Sequence, residues 1–376
     1  MAQRIITPGE NYKGFDKWIN ETRCKKILMV CDGSIWYQKE FNVHLEEVEK
    51  MGVQMIDFRD FQPNPLYENV QKGVKLFRDE KCDAIIAVGG GSAMDVAKCI
   101  KLYGNIPGEG NNGSWLVADY VENKIPFLAM PTTAGTGSEA TRYAVIYYNG
   151  KKQSITSESF IPDTVLMDPN CLTTLPLYQK KATMCDALCH GIESFWSVNS
   201  TDESKEYSRN AIQGVMENME GYLANTDEGR AGMLMAANAA GKAINISQTT
   251  AGHAMCYKIT SLFGSSHGHA AILCDRVLFP WMIEKTDKCI DPRGEEYLKT
   301  TLDEIGQAMG CVNAKAGAMK IKSIFDSLGL EVPTATVEQF ETLKNSVNPV
   351  RLKNHPIALD VDTIDALYHK ILNGEA

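Results

Sequence analysis

Asp186 and His190 lie four residues apart in the segment MCDALCHGIES, a spacing that places a carboxylate and an imidazole one helical turn apart. Farther along the chain, His253 lies in an apolar helical pattern and His267 follows the turn-like segment FGSS. One carboxylate and three imidazoles form a ligand set suited to Fe(II) or Zn(II), with a position open for a substrate oxygen. Each histidine alone is more often structural, so this prediction rests on the four residues together.

Two loops rich in glycine and hydroxyl groups lie in the N-terminal half. The segment AVGGGSAMDVAK places Gly90, Gly91 and Ser92 between a strand pattern and a helix pattern, where backbone N–H groups attract phosphate. The loop at 131–141, PTTAGTGSEAT, adds hydroxyls that suit a pyrophosphate or a ribose. Asp32 follows an apolar strand and can accept ribose hydroxyls while repelling a 2′-phosphate, although Asp-Gly-Ser is also a common turn cap. The loops predict a dinucleotide site that takes NAD(H), with NADP(H) as the alternative.

The elements that would position these residues change in character near residue 166. Over residues 1–166, short apolar runs alternate with amphipathic stretches, which is typical of a parallel, doubly wound sheet. Residues 167–376 read as mostly helical. We therefore predict an α/β Rossmann-like, dinucleotide-binding domain at 1–166 and an all-helical metal-binding and substrate domain at 167–376.

The composition argues against several classes of protein. The formal net charge of −9 is unlike that of a nucleic-acid-binding protein, which usually presents a basic face. No apolar run reaches the roughly 18 residues that a transmembrane helix needs, and the first residues lack the apolar core of a signal peptide. The 11 cysteines are scattered, as expected for reduced intracellular thiols. We expect a cytoplasmic protein without nucleic-acid or membrane partners.

Taken together, the motifs resemble those of the iron-containing (group III) alcohol dehydrogenases over essentially the whole chain. The matching segments, in order, are PNP (63–65), GGGSAMDVAK, PTTAGTGSEAT, MDPN and DALxHxIE. The resemblance implies the two-domain fold of dehydroquinate synthase and NAD(P)-dependent interconversion of an alcohol and an aldehyde. It implies that Fe(II), or alternatively Zn(II) or Mn(II), binds Asp186, His190, His253 and His267. It implies cofactor contacts from Asp32, Asn64, Gly90, Gly91, Ser92, Asp95, Thr132, Thr133 and Lys152.

Three more residues, Tyr257, Lys258 and His269, are predicted to act near the reacting atoms. Many relatives carry a histidine where this chain has Tyr257, and that histidine is thought to help transfer a proton. The phenol of Tyr257 or the imidazole of His269 could replace it, although either side chain could instead be structural.

Three sequence segments most resemble the phosphonoacetaldehyde reductase branch of the family: GHAMCYKIT, SHGHA and RLKNHP. This implies reduction of phosphonoacetaldehyde to 2-hydroxyethylphosphonate and a place in phosphonate biosynthesis. A dianionic substrate needs a cation, and an arginine presents a forked pair of donors. The candidates are Lys258, Arg142, and Arg351 with His355; each could equally be a solvated surface charge.

Other functions fit parts of this pattern. A general small-alcohol or 1,3-propanediol dehydrogenase would keep the fold and the metal but have an apolar substrate pocket. A sugar-phosphate cyclase-type lyase shares the architecture, but it typically has a glutamate where this chain has Asp186. A noncatalytic relative would be expected to have lost metal ligands. A homodimer or higher homo-oligomer is expected.

Overall fold

The computed structural model describes residues 3–9 and 11–373, and the chain divides into two compact units. The first comprises Met1–Thr133 and Gly137–Leu175, and the second comprises Ala134–Thr136 and Pro176–Ala376. The domain boundary predicted at residue 166 coincides with the end of the last strand but stays a prediction.

In its described part, the first unit contains eight strands and four α-helices. The strands are β1 (Arg4–Ile6), β2 (Lys26–Cys31), β3 (Gln54–Phe58), β4 (Ala84–Gly89), β5 (Phe127–Pro131), β6 (Tyr143–Tyr148), β7 (Lys151–Thr156) and β8 (Thr164–Leu166). The helices are α1 (Lys13–Thr22), α2 (Lys39–Lys50), α3 (Tyr67–Asp79) and α4 (Gly91–Tyr103). Six strands form a sheet in the order β1-β8-β5-β4-β2-β3, and every pairing in it is parallel. The predicted α/β domain with a parallel sheet is confirmed.

The central strand β4 shows why this sheet forms. All six residues of its sequence AIIAVG are buried, as expected for a parallel strand covered on both faces. Ile85 and Ala87 pack into the hydrophobic core on one face of the sheet, while Ile86 and Val88 pack into the core on the other. This alternation fixes the orientation of the strand, so that Gly89 and Gly90 lie at the end of the sheet where the parallel strands have their carboxyl ends.

One pair of strands departs from the parallel arrangement. Strands β6 and β7 form a separate antiparallel hairpin, with Tyr148 paired to Lys151 across the turn. Asn149 and Gly150 form that turn with φ values of 49° and 70°, which Asn-Gly tolerates better than other residue pairs. The hairpin belongs to the first unit without joining its parallel sheet.

Within its described part, the second unit consists of helices and the segments that join them, with one isolated bridge between Cys289 and Ile357. Its helices are α5 (Leu177–Trp196), α6 (Asp202–Leu223), α7 (Asp227–Ser247), α8 (Ala251–Phe263), α9 (His267–Glu284), α10 (Glu295–Ala308), α11 (Ala314–Leu328), α12 (Val337–Ser346), α13 (Pro349–Leu352) and α14 (Val361–Asn373). This confirms the predicted helical character of the C-terminal part. Among the described helices, none combines the length and apolarity that a membrane span requires.

Candidate active site

Three helices of the second unit carry the predicted metal ligands. Asp186 and His190 lie in the buried middle of α5, His253 is in the first turn of α8, and His267 is the first residue of α9. Ligand atoms of Asp186, His253 and His267 all lie within 4.8 Å of one another. His190 is outside that set, but its ring stacks on the ring of His253 with 4.4 Å between centroids. We call these four residues the metal-ligand cluster.

Several polar atoms of the metal-ligand cluster are buried without a hydrogen-bond partner among residues 3–9 and 11–373. They are Oδ1 of Asp186, Nδ1 of His190 and Nε2 of His253. The Nε2 atom of His253 lies 3.5 Å from Oδ1 of Asp186, and Nδ1 of His190 lies 4.0 Å from the other carboxylate oxygen. Buried polar atoms are normally paired, because an unpaired one costs about 1–3 kcal/mol. A divalent cation would satisfy carboxylate and imidazole atoms together, so the residues present fit a metal ion.

Two glycines next to the ligand histidines allow the three helices to approach closely. A Cβ at Gly252 would lie 2.0 Å from Oδ1 of Asp275 and 2.7 Å from Oε1 of Glu193. A Cβ at Gly268 would lie 2.0 Å from the carbonyl oxygen of Ala182 on α5. Because real Cβ atoms do not approach other atoms this closely, any larger residue would push α8 or α9 away from the cluster.

Glu193 orients one of the ligands. Its carboxylate accepts the backbone N–H of His253 at 3.0 Å and also contacts Nδ1 of the same ring. Thr250 donates its N–H and its hydroxyl to the other carboxylate oxygen at 2.6 and 2.7 Å. With Nδ1 bound to Glu193, Nε2 of His253 is directed to Asp186, as in carboxylate–histidine–metal arrangements. Glu193 is the last residue of the segment DALxHxIE, from which no role for it was predicted.

The electrostatics of the cluster favour a positive charge at His253. Burial lowers the pKa of this ring, but the charges of Glu193 and Asp186 and their hydrogen bonds outweigh burial and raise the pKa to about 10. Burial also raises the pKa of Asp186, yet the neighbouring histidines bring it below its usual value. Burial lowers the pKa of His190. The site therefore stabilises a cation between Asp186 and His253, which a proton or a metal ion can supply.

Asp275 on α9 is a second buried carboxyl group that sequence reasoning missed. It is fully buried, and neither of its oxygens has a hydrogen-bond partner among the described residues. Burial, reinforced by the nearby charge of Glu193, raises the pKa of Asp275 well above its usual value. Burial also raises the pKa of Glu193, but the charge of His253 and its hydrogen bond outweigh burial and lower it, so a proton favours Asp275 over Glu193.

His269 has both ring nitrogens engaged. Its Nε2 lies 2.8 Å from the carbonyl oxygen of Glu331, so Nε2 carries the proton and donates it. Burial lowers the pKa of His269, so the ring is neutral and Nδ1 accepts from the hydroxyl of Tyr178 at 3.1 Å. The same hydroxyl accepts the backbone N–H of Ser266, which immediately precedes His267. A catalytic role for His269 stays a prediction, and this geometry favours a structural role at the start of α9.

Tyr257 and Lys258 occupy different faces of α8. The ring of Tyr257 stacks on that of His267, with 5.1 Å between centroids. Its pKa is raised by burial to about 12, so the phenol keeps its proton at neutral pH. Lys258 lies five residues after His253 and therefore about 140° around the helix from it. Catalytic roles for both residues stay predictions.

The predicted cofactor residues all lie in the first unit, and several meet at the carboxyl ends of adjacent strands. Asp32 caps the turn after β2 by accepting the N–H of Ser34 at 2.9 Å, and its other oxygen lies 3.4 Å from the N–H of Gly90. A Cβ at Gly89, whose φ is 156°, would lie 2.7 Å from that oxygen. Only a glycine at this position lets the strand turn into α4 beside Asp32.

The second loop meets the first at the same edge of the sheet. The backbone N–H of Thr132 donates to the carbonyl of Gly89 at 3.0 Å, and a Cβ at Gly90 would contact Thr133 at 3.4 Å. The remaining predicted contacts have these places: Gly91 and Ser92 begin α4, Asn64 adopts a φ of 60°, and Lys152 lies on β7. Their roles toward a nucleotide stay predictions.

Asp95 belongs to a buried polar group that we call the Lys98 cluster, made of Asp95, Lys98, Ser138 and Thr141. The carboxylate of Asp95 accepts the hydroxyl of Ser138 and a backbone N–H of β6, each at 3.0 Å. The Nζ of Lys98 lies 2.7–3.1 Å from four oxygens of Ser138, Thr141 and Tyr143. These bonds hold the loop at 131–141 against α4. Sequence reasoning predicted a cofactor contact for Asp95 and no role for Lys98.

Comparisons with known proteins agree with the site and the fold. Residues 2–169 match the iron-containing alcohol dehydrogenase family, and residues 180–372 match the C-terminal part of the Fe-containing alcohol dehydrogenase family. The iron-containing alcohol dehydrogenase from Thermococcus thioreducens superposes with a TM-score of 0.87 at 22% identity, covering 99% of this chain and 98% of that one. At that identity the likeness shows the fold.

Two curated relatives extend the comparison. The phosphonoacetaldehyde reductase of Streptomyces viridochromogenes is 28% identical over 80% of this chain and 79% of that protein. The 1,3-propanediol dehydrogenase of Citrobacter freundii is 30% identical over 71% of this chain and 70% of that protein. Both names describe oxidoreductases that act on alcohols or aldehydes. The resemblance seen in the sequence motifs is thus confirmed, and the chain belongs to the iron-containing alcohol dehydrogenase family.

Proposed function

We propose that this enzyme reduces phosphonoacetaldehyde to 2-hydroxyethylphosphonate with NADH, using a divalent metal ion, with Fe(II) as the expected metal. The observation that carries the reductase chemistry is that ligand atoms of the buried Asp186 and His253 and of the half-buried His267 converge within 4.8 Å. The anionic substrate is supported by the similarity to the phosphonoacetaldehyde reductase of Streptomyces viridochromogenes.

The chain's own residues have separate tasks in this scheme. The metal-ligand cluster would hold the ion, which when bound supplies Lewis acidity toward the aldehyde oxygen. Glu193 keeps the ring of His253 oriented by binding its Nδ1, so that Nε2 is available to the ion. Tyr257 keeps its phenolic proton at neutral pH and packs against His267. Gly252 and Gly268 let α8 and α9 pack closely beside the cluster.

The nucleotide would bind the loops at the carboxyl ends of β2, β4 and β5. The start of α4, a helix of 13 residues, presents N–H groups that suit a pyrophosphate. When bound, the reduced nicotinamide supplies the hydride. Asp32 supports NADH over NADPH, because its carboxylate would repel a 2′-phosphate. A comparison of kcat/KM for NADH and NADPH tests this preference, and equal values would remove it.

A general small-alcohol or 1,3-propanediol dehydrogenase is the second candidate, favoured by the similarity to the Citrobacter freundii enzyme. The two functions separate in one assay of metal-loaded enzyme. NADH oxidation is measured with phosphonoacetaldehyde and with propanal, an uncharged aldehyde of similar size. We expect kcat/KM to be about 10- to 150-fold higher for phosphonoacetaldehyde, since a charge-assisted contact contributes about 1.5–3 kcal/mol. Equal values would remove the phosphonate substrate and leave the general dehydrogenase.

The homodimer or higher oligomer expected from the sequence is also part of this proposal. Size-exclusion chromatography with light scattering tests it, and a monomer at assay concentration would exclude it.

A further inference from the structure

Arg351 on α13 lies next to the aromatic ring that covers the metal-ligand cluster. Its Nη1 donates to the hydroxyl of Tyr257 at 3.0 Å, and its Cζ lies 4.8 Å from the centroid of the same ring. The guanidinium is partly buried. Within residues 3–9 and 11–373, no carboxylate lies within 4.0 Å of it. Most of its five N–H donors therefore remain available, and its charge is not neutralised by an acidic neighbour.

Tyr257 connects this guanidinium to a predicted metal ligand. The phenol ring of Tyr257 stacks on the ring of His267, with the two planes inclined by 30°. The ring centroids of His267 and His253 are 5.2 Å apart. A single aromatic ring thus separates an unpaired cation from an imidazole of the metal-ligand cluster.

The other cations considered from the sequence have different surroundings. Lys258 points about 140° away from His253 around α8. Arg142, in the first unit, forms an ion pair with Glu158 at 2.8 Å. His355 is fully buried edge-on to Trp196, and burial lowers its pKa to about 4, so it carries no charge at neutral pH. Arg351 alone of the four combines an unpaired charge with a contact that leads to the cluster.

We propose that Arg351 is the specificity-determining residue that binds the oxyanion headgroup of the aldehyde substrate, and that Tyr257 holds its guanidinium in place. A tetrahedral oxyanion on the carbon next to the aldehyde, whether phosphonate or sulfonate, offers two oxygens to the forked donors of an arginine. This inference rests on the proposed function, because it requires that the substrate be anionic. It predicts that the headgroup and the reacting aldehyde depend on different residues.

The test uses metal-loaded enzyme with NADH, propanal as the substrate and ethylphosphonate as an unreactive competitor. Propanal reports the reacting centre, and the inhibition constant of ethylphosphonate reports the headgroup site alone. The variants are Arg351→Met, Arg351→Lys and Tyr257→Phe. Lys353→Met, which removes an exposed cation two residues away, is the matched control. Ethanesulfonate is run in parallel to distinguish a phosphonate from a sulfonate.

We expect Arg351→Met to raise the inhibition constant of ethylphosphonate about 10- to 100-fold, while the KM and kcat for propanal change less than about twofold. Arg351→Lys should give an intermediate rise because it keeps the charge and loses the fork. Tyr257→Phe should give a rise of about two- to fivefold, and Lys353→Met should give none.

Several outcomes would overturn the assignment of Arg351. An unchanged inhibition constant in Arg351→Met, in an enzyme that prefers phosphonoacetaldehyde, would reject Arg351 and leave the proposed function intact. An equal loss of propanal turnover in that variant would show a structural role instead. A wild-type enzyme that neither prefers phosphonoacetaldehyde nor is inhibited by either anion would reject the proposed function and this inference together. Tighter inhibition by ethanesulfonate than by ethylphosphonate, lost in Arg351→Met, would support Arg351 and move the substrate to a sulfonate.

Discussion

The Lys98 cluster and the metal-ligand cluster are both groups of buried polar residues, but only the first is complete within the protein. The ammonium of Lys98 has four oxygens within 3.1 Å, and Asp95 accepts two hydrogen bonds. In the metal-ligand cluster, Asp186, His190 and His253 each have a buried atom without a partner. A buried polar cluster whose atoms are all hydrogen-bonded stabilises the contact between its elements. A cluster whose unpaired polar atoms point toward one another is suited to binding a ligand.

The strongest test of this contrast removes a residue from the metal-ligand cluster. His267→Ala should lower turnover by about 10³-fold or more and abolish stable metal binding, because it deletes a ligand from a site that needs several. Binding of NADH, followed by its fluorescence, should persist, since the predicted nucleotide contacts lie in the other unit. His369→Ala, which removes a histidine stacked on Phe340 in another part of the helical unit, is the control. Retained turnover in His267→Ala would mean that this ligand is misassigned.

Amide substitutions of Glu193 and Asp275, the two buried carboxyl groups next to the cluster, should have different effects on metal binding. Glu193→Gln should weaken metal binding about 10- to 100-fold, because the amide cannot support the ring of His253 as a carboxylate does. Asp275→Asn should change metal affinity less than about threefold, because the raised pKa of Asp275 favours an uncharged carboxyl, which the uncharged amide resembles. Anaerobic competition with a chelating dye measures both. The opposite order of effects would contradict the assigned charges.

Removal of the lysine from the Lys98 cluster should affect stability and leave the metal unaffected. Lys98→Met deprives the oxygens of Ser138, Thr141 and Tyr143 of their donor and should lower the free energy of unfolding by about 3 kcal/mol. The melting temperature checks this, with metal content measured on the same sample. Lys75→Met is the matched control, because its pair with Asp79 is exposed to solvent and such surface pairs contribute little to stability. If Lys98→Met lost metal without a fall in melting temperature, the purely structural role of the Lys98 cluster would be contradicted.

The smallest effect concerns His355, whose ring nitrogens are both buried without a partner. Its pKa is about 4 when folded and about 6.5 when exposed, so between these values the unfolded chain binds one more proton. His355 should therefore leave the free energy of unfolding unchanged above pH 6.5 and lower it by about 1.4 kcal/mol per pH unit between pH 6.5 and pH 4. His355→Phe keeps an aromatic ring against Trp196 and should melt at increasingly higher temperature than wild type as the pH falls from 7 to 5. Parallel melting curves at both pH values would refute this.

Much of the fold follows from local patterns in the sequence. The apolar segment ending at Cys31 and the run AIIAVG each become a buried parallel strand, because strands covered on both faces need continuous apolar residues. The β6–β7 hairpin was not predicted, although Asn149-Gly150 between its two strands is a strong turn signal.

The site was predictable where a residue type itself indicates chemistry, and not where tertiary packing decides. The spacing of Asp186 and His190 and the first-turn position of His267 could be inferred from the sequence. The roles of Glu193 and Asp275 could not be inferred from the sequence. They depend on the close approach of α8, which Gly252 allows, and no local pattern indicates that contact. His269 was grouped with His267 because they are two residues apart, but in a helix that spacing is about 200° around the axis.

The central claim is that the metal-ligand cluster holds one divalent ion on which turnover depends. The most direct test removes metal from the protein under anaerobic conditions and titrates it with Fe(II) while NADH oxidation is measured. We predict that activity rises linearly and reaches its plateau at one equivalent of Fe(II) per chain. Full activity in the metal-free protein would contradict the claim.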